Sequence, residues 1–258
     1  MTPHQYAPGT VSQVERDDER DWVAVEEPLE IRVDSDPVAV TMRTPGHDEE
    51  LALGFLYGEG LIDVAHSVGL TEDLAANTVV VAGSLLRELP TRRFYTTSSC
   101  GVCGKGAIEQ IAVAAAPLVA GPMAGGPIDR HLLAALPDRL IQPGFDRTGG
   151  LHATGLFSVM GELLCVREDV GRHNAMDKVI GWALGEGLLP LSDGLLCVSG
   201  RLSFELVQKA VVAGARVLVG VGAPTSLAVS LAREYGLTLG GFARRGRVNV
   251  YSGEARVS

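Results

Sequence analysis

From Leu151 onward the chain repeats one local grammar three times: an apolar strand, a tight turn and an amphipathic helix. Residues 162–166 lead through 167–172 into a helix expected over 173–184. Residues 195–198 lead through Ser199-Gly200-Arg201 into a helix over 203–214, and residues 217–221 lead through Gly222-Ala223-Pro224-Thr225 into a helix over 226–235. A hydrophobic period that switches between strand and helix across such short loops restricts the fold class to layered α/β. It implies right-handed crossovers and a largely parallel core sheet. Strands over 237–242 and 248–251 complete this part.

The first hundred residues read differently. Strands are expected over 30–43, 79–81 and 92–96, and a helix over 48–62, which together make a smaller mixed α+β region. The resulting organisation is an acidic, disordered arm over 1–20 and a mixed region over 21–117. A Gly/Pro linker follows over 118–128, with a short helix over 129–135, and the α/β region occupies 129–258. With 258 residues and 46% hydrophobic content, the chain can bury a large core without disulfides. A net charge of -9 argues against a general nucleic-acid binder but permits a local basic site. Residues 1–13 lack the basic start and apolar core of a signal peptide, so a cytoplasmic protein is expected, without structural disulfides. Residues 111–128 carry no charge, yet prolines and glycines interrupt them, so no membrane span is expected there.

Two cysteines lie outside any apolar context, in Thr97-Ser98-Ser99-Cys100-Gly101-Val102-Cys103-Gly104-Lys105. Ile108, Ile111, Ala112 and Ala115 recur at helical spacing beyond them, which places Cys103 near a helix amino-terminus. Unpaired N–H groups there, and the positive charge of Lys105, favour thiolate over thiol. The first acidic side chain after the pair, Glu109, stands about one helical turn further on. Cys100 and Cys103 are therefore read as working thiols, the plain alternative being an exposed, redox-silent pair. Cys165 and Cys197 sit inside apolar strands, where cysteine behaves as a small hydrophobe, and no chemistry is assigned to them.

In open α/β sheets, ligands bind beyond the carboxyl ends of the strands. Arg172 and His173, Ser199 and Arg201, and Thr225 all fall at such strand-to-helix turns. Each turn offers backbone N–H groups with a hydroxyl or an arginine, the donors that phosphate oxygens require. Taken singly, Ser203 or Thr225 is better explained as a helix cap. Together with Phe242-Ala243-Arg244-Arg245-Gly246-Arg247, a cluster of three arginines on an acidic protein, the turns point to a phosphate-bearing ligand. None matches a Walker loop or a Gly-x-Gly-x-x-Gly fingerprint.

The segments Cys100-Gly101-Val102-Cys103-Gly104, residues 168–178, residues 204–210 and residues 237–247 occur in this order and resemble the formate dehydrogenase accessory sulfurtransferase family, FdhD, from about Val25 to Tyr251. The resemblance implies a sulfur carrier. It would accept persulfide sulfur from a cysteine desulfurase and pass it to the molybdenum or tungsten bis(molybdopterin guanine dinucleotide) cofactor, bound as a client ligand, before insertion into the formate dehydrogenase catalytic subunit. Cys100 corresponds to the persulfide-carrying cysteine, Cys103 to its partner, and 242–247 to the segment that holds the guanine dinucleotide. The family also implies a cytidine-deaminase-like fold and a homodimer; no structural metal is expected.

Three rivals are weighed against this. A zinc deaminase is suggested by His47-Asp48-Glu49 upstream of the cysteine pair, but Ser99 stands where that signature has proline. A thioredoxin-like oxidoreductase lacks the usual flanking tryptophan and proline. A non-catalytic chaperone would bind the cofactor without using the thiols.

Overall fold

The structure, a computed structural model, describes residues 9–63, 68–69, 77–86, 94–95, 118, 123 and 126–258. Cys100 and Cys103, and most of the expected linker at 118–128, lie outside the described residues. The chain forms two compact units that interleave along the sequence: 1–104, 141–152 and 168–185 in the first, and 105–140, 153–167 and 186–258 in the second. They are not the successive regions 21–117 and 129–258 that the sequence suggests, because 141–152 and 168–185 fold with the amino-terminal segment.

The first unit begins with a hairpin, β1 (Val11–Arg16) and β2 (Glu19–Ala24), in the segment expected as a disordered arm. Its register sets opposite charges across from one another, Arg16 against Glu19 and Glu15 against Arg20. Asp17 (φ 48) and Asp18 (φ 66) supply the two left-handed residues of its tight turn. The acidic composition concealed this cross-strand pairing.

A mixed sheet follows, ordered β5 (Val68–Gly69), β6 (Thr78–Val81), β3 (Glu27–Val33), β4 (Asp36–Arg43) and β7 (Phe94–Tyr95). Leu29, Ile31 and Val33 alternate into its core at 0%, 0% and 6% exposure, as a half-buried strand requires. Helix α1 (Asp48–Gly58) carries the chain from β4 towards β6. It stops four residues short of the expected end because Gly60 (φ 65) turns the chain, and Leu61 and Ile62 are buried beyond it. Also in this unit is the long helix Arg172–Gly185, numbered in chain order below.

The first helix described in the second unit is α2 (Arg130–Ala135). A short helix, α3 (Pro143–Thr148), belongs to the first unit, and β8 (His152–Phe157) then turns back through Ser158–Gly161 into β9 (Leu163–Asp169). The turn is closed by Gly161 N–H to Ser158 O at 2.8 Å and Ser158 N–H to Glu162 O at 2.9 Å. The first-unit helix Arg172–Gly185 is α4; β10 (Leu195–Val198), α5 (Phe204–Val212), β11 (Val217–Gly220), α6 (Ser226–Tyr235), β12 (Thr238–Arg244) and β13 (Arg247–Ser252) follow in the second unit. The six strands are ordered β13-β12-β11-β10-β8-β9.

In this sheet β10–β11 and β11–β12 pair parallel, whereas β8 is antiparallel to β10 and β13 to β12. The strand-turn-helix grammar therefore winds the sheet twice rather than three times. The first apparent repeat is a hairpin edge, because β8, with its Thr154 and Gly155, did not read as a strand. Every residue of β10 and β11 is buried, consistent with a parallel pair covered on both faces. No helix among the described residues is long and apolar enough to cross a membrane.

Within the first unit α1 and α4 cross with their backbones in contact. A Cβ at Gly54 would collide with the carbonyl of Asp177, and one at Gly181 with the carbonyl of Glu50. Backbone cannot swing aside as a side chain can. Gly181→Ala is expected to lower unfolding stability by about 2 to 3 kcal/mol, whereas Gly185→Ala, four residues on with nothing within 4 Å, should be neutral or slightly stabilising. Urea unfolding of the two variants checks this, and equal midpoints would remove the close crossing.

Candidate functional site

At the carboxyl ends of β10, β11 and β12 the chain leaves the sheet through turns that are stitched together by main-chain hydrogen bonds. Gly222 N–H donates to Gly200 O at 2.9 Å, Leu202 N–H to Ala223 O at 3.0 Å, and Thr225 N–H to Leu202 O at 3.0 Å. Phe242 N–H donates to Gly222 O at 3.1 Å, which brings β12 into the same ridge. Such proximity requires glycine: a Cβ on Gly222 would stand 2.9 Å from both the Cα of Arg201 and the carbonyl oxygen of Gly200.

The end of β12 is irregular in a specific way. Gly241 pairs with Asn249 but Arg244 pairs with Arg247, so β12 carries one extra residue, a β-bulge. Phe242 lies in the bulge with φ 54, a left-handed backbone that is uncommon outside glycine and an outlier for a bulky side chain. Arg245 (φ 51) and Gly246 (φ 70) then form a two-residue hairpin turn. Arg244 and Arg247 face each other in register, and all three arginines are exposed. Among the described residues no carboxylate pairs with any of them. Directly opposed like charges destabilise a sheet. A bound polyanion would reverse the sign of that interaction, which is the physical sense in which this hairpin fits a phosphate-bearing ligand.

Of the other expected site residues, Arg201 is exposed on the same ridge. Ser199 and Thr225 have structural duties: Ser199 Oγ accepts from Ala153 N–H at 2.9 Å, and Thr225 Oγ1 caps α6 by accepting from Ala228 N–H at 3.3 Å. Arg172 and His173 open α4 in the first unit, whereas the ridge and the hairpin belong to the second. The Nε of Arg172 is buried without a hydrogen-bond partner among the described residues. His47 stands at the amino-terminus of α1, where its Nδ1 lies 3.4 Å from Glu50. Cys165 and Cys197 are buried, and burial pushes the Cys197 thiol far above its ordinary pKa, in keeping with a packing role. Among the described residues no group of three or more His, Cys, Asp or Glu could hold a metal ion.

The residues around Arg172 and His173 carry something that sequence reasoning missed. Asp169 and Lys178, at 0% and 1% side-chain exposure, form an ion pair at 2.7 Å inside the first unit. Lys178 Nζ also donates to Thr44 O (2.9 Å) and Glu168 O (3.3 Å). Asp169 accepts from Thr44 N–H at 3.1 Å, Gly171 N–H at 2.8 Å and Asn174 Nδ2 at 3.0 Å. Asn174 donates in turn to Met42 O at 2.8 Å, and its Oδ1 accepts from Thr41 Oγ1 at 3.3 Å. The network ties α4 to the end of β4. Polar residues at 174 and 178, one helical turn apart and inside an otherwise apolar face, were the available signal. Next to it, Glu168 accepts from Gly144 N–H (2.9 Å) and Phe145 N–H (2.8 Å) at the start of α3. Burial raises the Glu168 pKa despite those two bonds, with Asp146 adding to the rise and Lys178 opposing it.

The model of the FdhD/NarQ family matches residues 24–258. A sulfur carrier protein FdhD of Streptomyces avermitilis is 50% identical over 256 residues, covering 92% of this chain and 89% of its own. That of Mycolicibacterium paratuberculosis is 52% identical over 252 residues, covering 91% of each chain. The Sulfolobus acidocaldarius protein of the same name is 42% identical over 239 residues, covering 92% of this chain and 91% of its own. Among solved structures, a Desulfotalea psychrophila protein provisionally described as a formate dehydrogenase accessory protein superposes with a TM-score of 0.75 at 26% identity, covering 96% of this chain and 98% of that one.

Proposed function

The chain belongs to the FdhD/NarQ family, and we propose that it is a sulfur carrier that matures formate dehydrogenase. It accepts sulfur from a cysteine desulfurase and delivers it to the molybdenum or tungsten bis(molybdopterin guanine dinucleotide) cofactor, which is its substrate rather than a resident group. The observation that carries the substrate reading is the hairpin at 244–247, whose in-register arginines lack carboxylate partners among the described residues. The phosphates of a guanine dinucleotide supply the missing negative charge. Arg201 extends the same ridge. The parallel β10-β11-β12 core with α5 and α6 supports reading the second unit as a cytidine-deaminase-like layer. The working form in this proposal is a cytoplasmic homodimer.

The thiol chemistry follows from the cysteine pair. The Cys100 thiolate attacks the terminal sulfur of the donor persulfide. A new S–S bond forms on Cys100, the donor S–S bond breaks, and the desulfurase leaves as a thiolate, with no net redox change. Cys103, three residues further along the chain with Gly101 between, would attack the inner sulfur of that persulfide. This step would release the terminal sulfur as hydrosulfide and leave a Cys100–Cys103 disulfide for a thiol reductant to reopen.

Intact mass after incubation with desulfurase and cysteine, without reductant, tests the carrier role. Wild type and Cys103→Ala should gain sulfur that reductant removes, and Cys100→Ala should gain none. A Cys100→Ala protein that still activates formate dehydrogenase would eliminate sulfur transfer and leave only cofactor binding.

A further inference from the structure

We infer that the free edge of β1 is a protein-docking site, where an extended segment of a partner, alternating basic and apolar residues, adds as a third strand to the β1–β2 hairpin. The hairpin spans 11–24 and the family match begins at 24, so neither the thiol chemistry nor the nucleotide reading draws on it. Its register fixes which backbone groups face outward. Val25 N–H donates to Thr10 O at 2.9 Å, and hydrogen-bonded pairs then alternate along the register, falling on Ser12 with Val23, Val14 with Asp21 and Arg16 with Glu19. The N–H and C=O groups of Val11, Gln13 and Glu15 therefore point away from β2, and among the described residues no strand pairs with that side. The outer side of β2 is different. Trp22 N–H, which points outward by the same alternation, donates to the Asp21 carboxylate at 2.8 Å, and Arg147 lies over the Trp22 ring at 4.5 Å. On β1, Ser12 through Arg16 are all exposed, and neither a proline nor a bulge interrupts them.

The side chains state what would pair there. Val14 (41% exposed) and Val23 (37%) are diagonal neighbours on one face, which a third strand would extend with apolar residues. The other face carries Gln13 and Glu15 at the edge, and the strand runs into the turn at Asp17 and Asp18. Residues 15–21 hold five carboxylates against two arginines. Arg16 is already engaged by Glu19 at 3.7 Å and Asp21 at 3.5 Å, and Asp17 and Asp18 have no cationic partner among the described residues. Lysine or arginine at alternate positions of the incoming strand supplies the missing charge, while its backbone satisfies the edge. A second copy of β1 would bring the same carboxylates instead.

Fluorescence anisotropy with a labelled, alternating lysine–valine heptapeptide tests this, against a glutamate–valine control, on the full chain and its Gln13→Pro and Gln13→Ala variants. Proline removes the outward N–H without touching a bond inside the hairpin, and alanine keeps it. Gln13→Pro should weaken the lysine–valine peptide about tenfold or more, Gln13→Ala should bind as wild type does, and added salt should weaken binding. The peptide should also slow amide exchange at Gln13 and Glu15, whereas Ser12 and Val14 are already protected in the free protein. Should Gln13→Pro lose protection at Ser12 and Val14, the hairpin has opened, and Val11→Pro at the next outward position takes its place in the test. Equal affinity for the two peptides, undiminished binding by an intact proline variant, no binding by wild type, or a chain that instead dimerises through these amides would each overturn the assignment.

Discussion

Replacing Lys178 with methionine is expected to lower the stability of the folded protein by about 3 to 5 kcal/mol, although the two side chains have similar volumes. The ammonium uses its three donors on Asp169 Oδ2, Thr44 O and Glu168 O, and is 1% exposed. Methionine fills the space but leaves the Asp169 carboxylate buried without its counter-charge. The N–H groups of Thr44 and Gly171 and the amide of Asn174 still point at that carboxylate, and they soften the penalty without removing it. The partner substitution separates charge from packing. Asp169→Asn in the Lys178→Met background removes the stranded charge, so the double variant should be more stable than the sum of the two single losses predicts, by more than 1 kcal/mol. Urea unfolding of the four proteins, with equal slopes as the check on two-state behaviour, measures this coupling. Additive losses, or a Lys178→Met cost under about 1 kcal/mol, would mean that the pair does not hold α4 to β4.

That network marks where the sequence stopped being legible. The elements themselves were readable where a period was strong. Strand β10 (Leu195–Val198) and helix α6 (Ser226–Tyr235) occur where periodicity puts them. Errors arose where pairing partners lie far apart in the chain or composition dominates. The 11–24 hairpin has the residue content of a solvated arm, and only the register, Arg16 against Glu19 and Glu15 against Arg20, converts that content into a sheet. Strand β8 contains Thr154 and Gly155, and its place between β9 and β10 depends on hydrogen bonds that no local pattern specifies. The same holds for the site. The basic hairpin was visible as an arginine cluster, but the bulge that turns Phe242 outward is set by a bond to Gly222, twenty residues earlier. By sequence, Arg172 and His173 read as part of a ligand turn. The structure shows Asp169, Asn174 and Lys178 in a buried scaffold, while Arg172 and His173 stand between them in sequence. A buried carboxylate and a ligand-binding one look alike until their donors are known.

Removing both Arg244 and Arg247 is expected to move binding and stability in opposite directions. Each guanidinium can contribute a charge-assisted hydrogen bond to a phosphate, and two lost contacts amount to about 3 kcal/mol, or roughly a hundredfold in the dissociation constant for GDP. The two residues are paired in register without a carboxylate partner among the described residues, so Arg244→Ala with Arg247→Ala also relieves a repulsion in the free protein. Melting temperature without ligand should therefore be unchanged or slightly higher, and the shift that GDP produces in wild type should shrink or vanish. Wild-type affinity should fall as salt rises, and the double variant should show a shallower dependence. Persulfide loading at Cys100 should be unaffected, because the arginines act on the cargo and the thiol acts on the donor. A variant that melts earlier and still binds GDP at wild-type affinity would make the hairpin a structural element and move the anion site elsewhere on the ridge. A cluster of like charges that weakens its own sheet is best explained by what it holds, and this pair of opposite signs is the measurable form of that explanation.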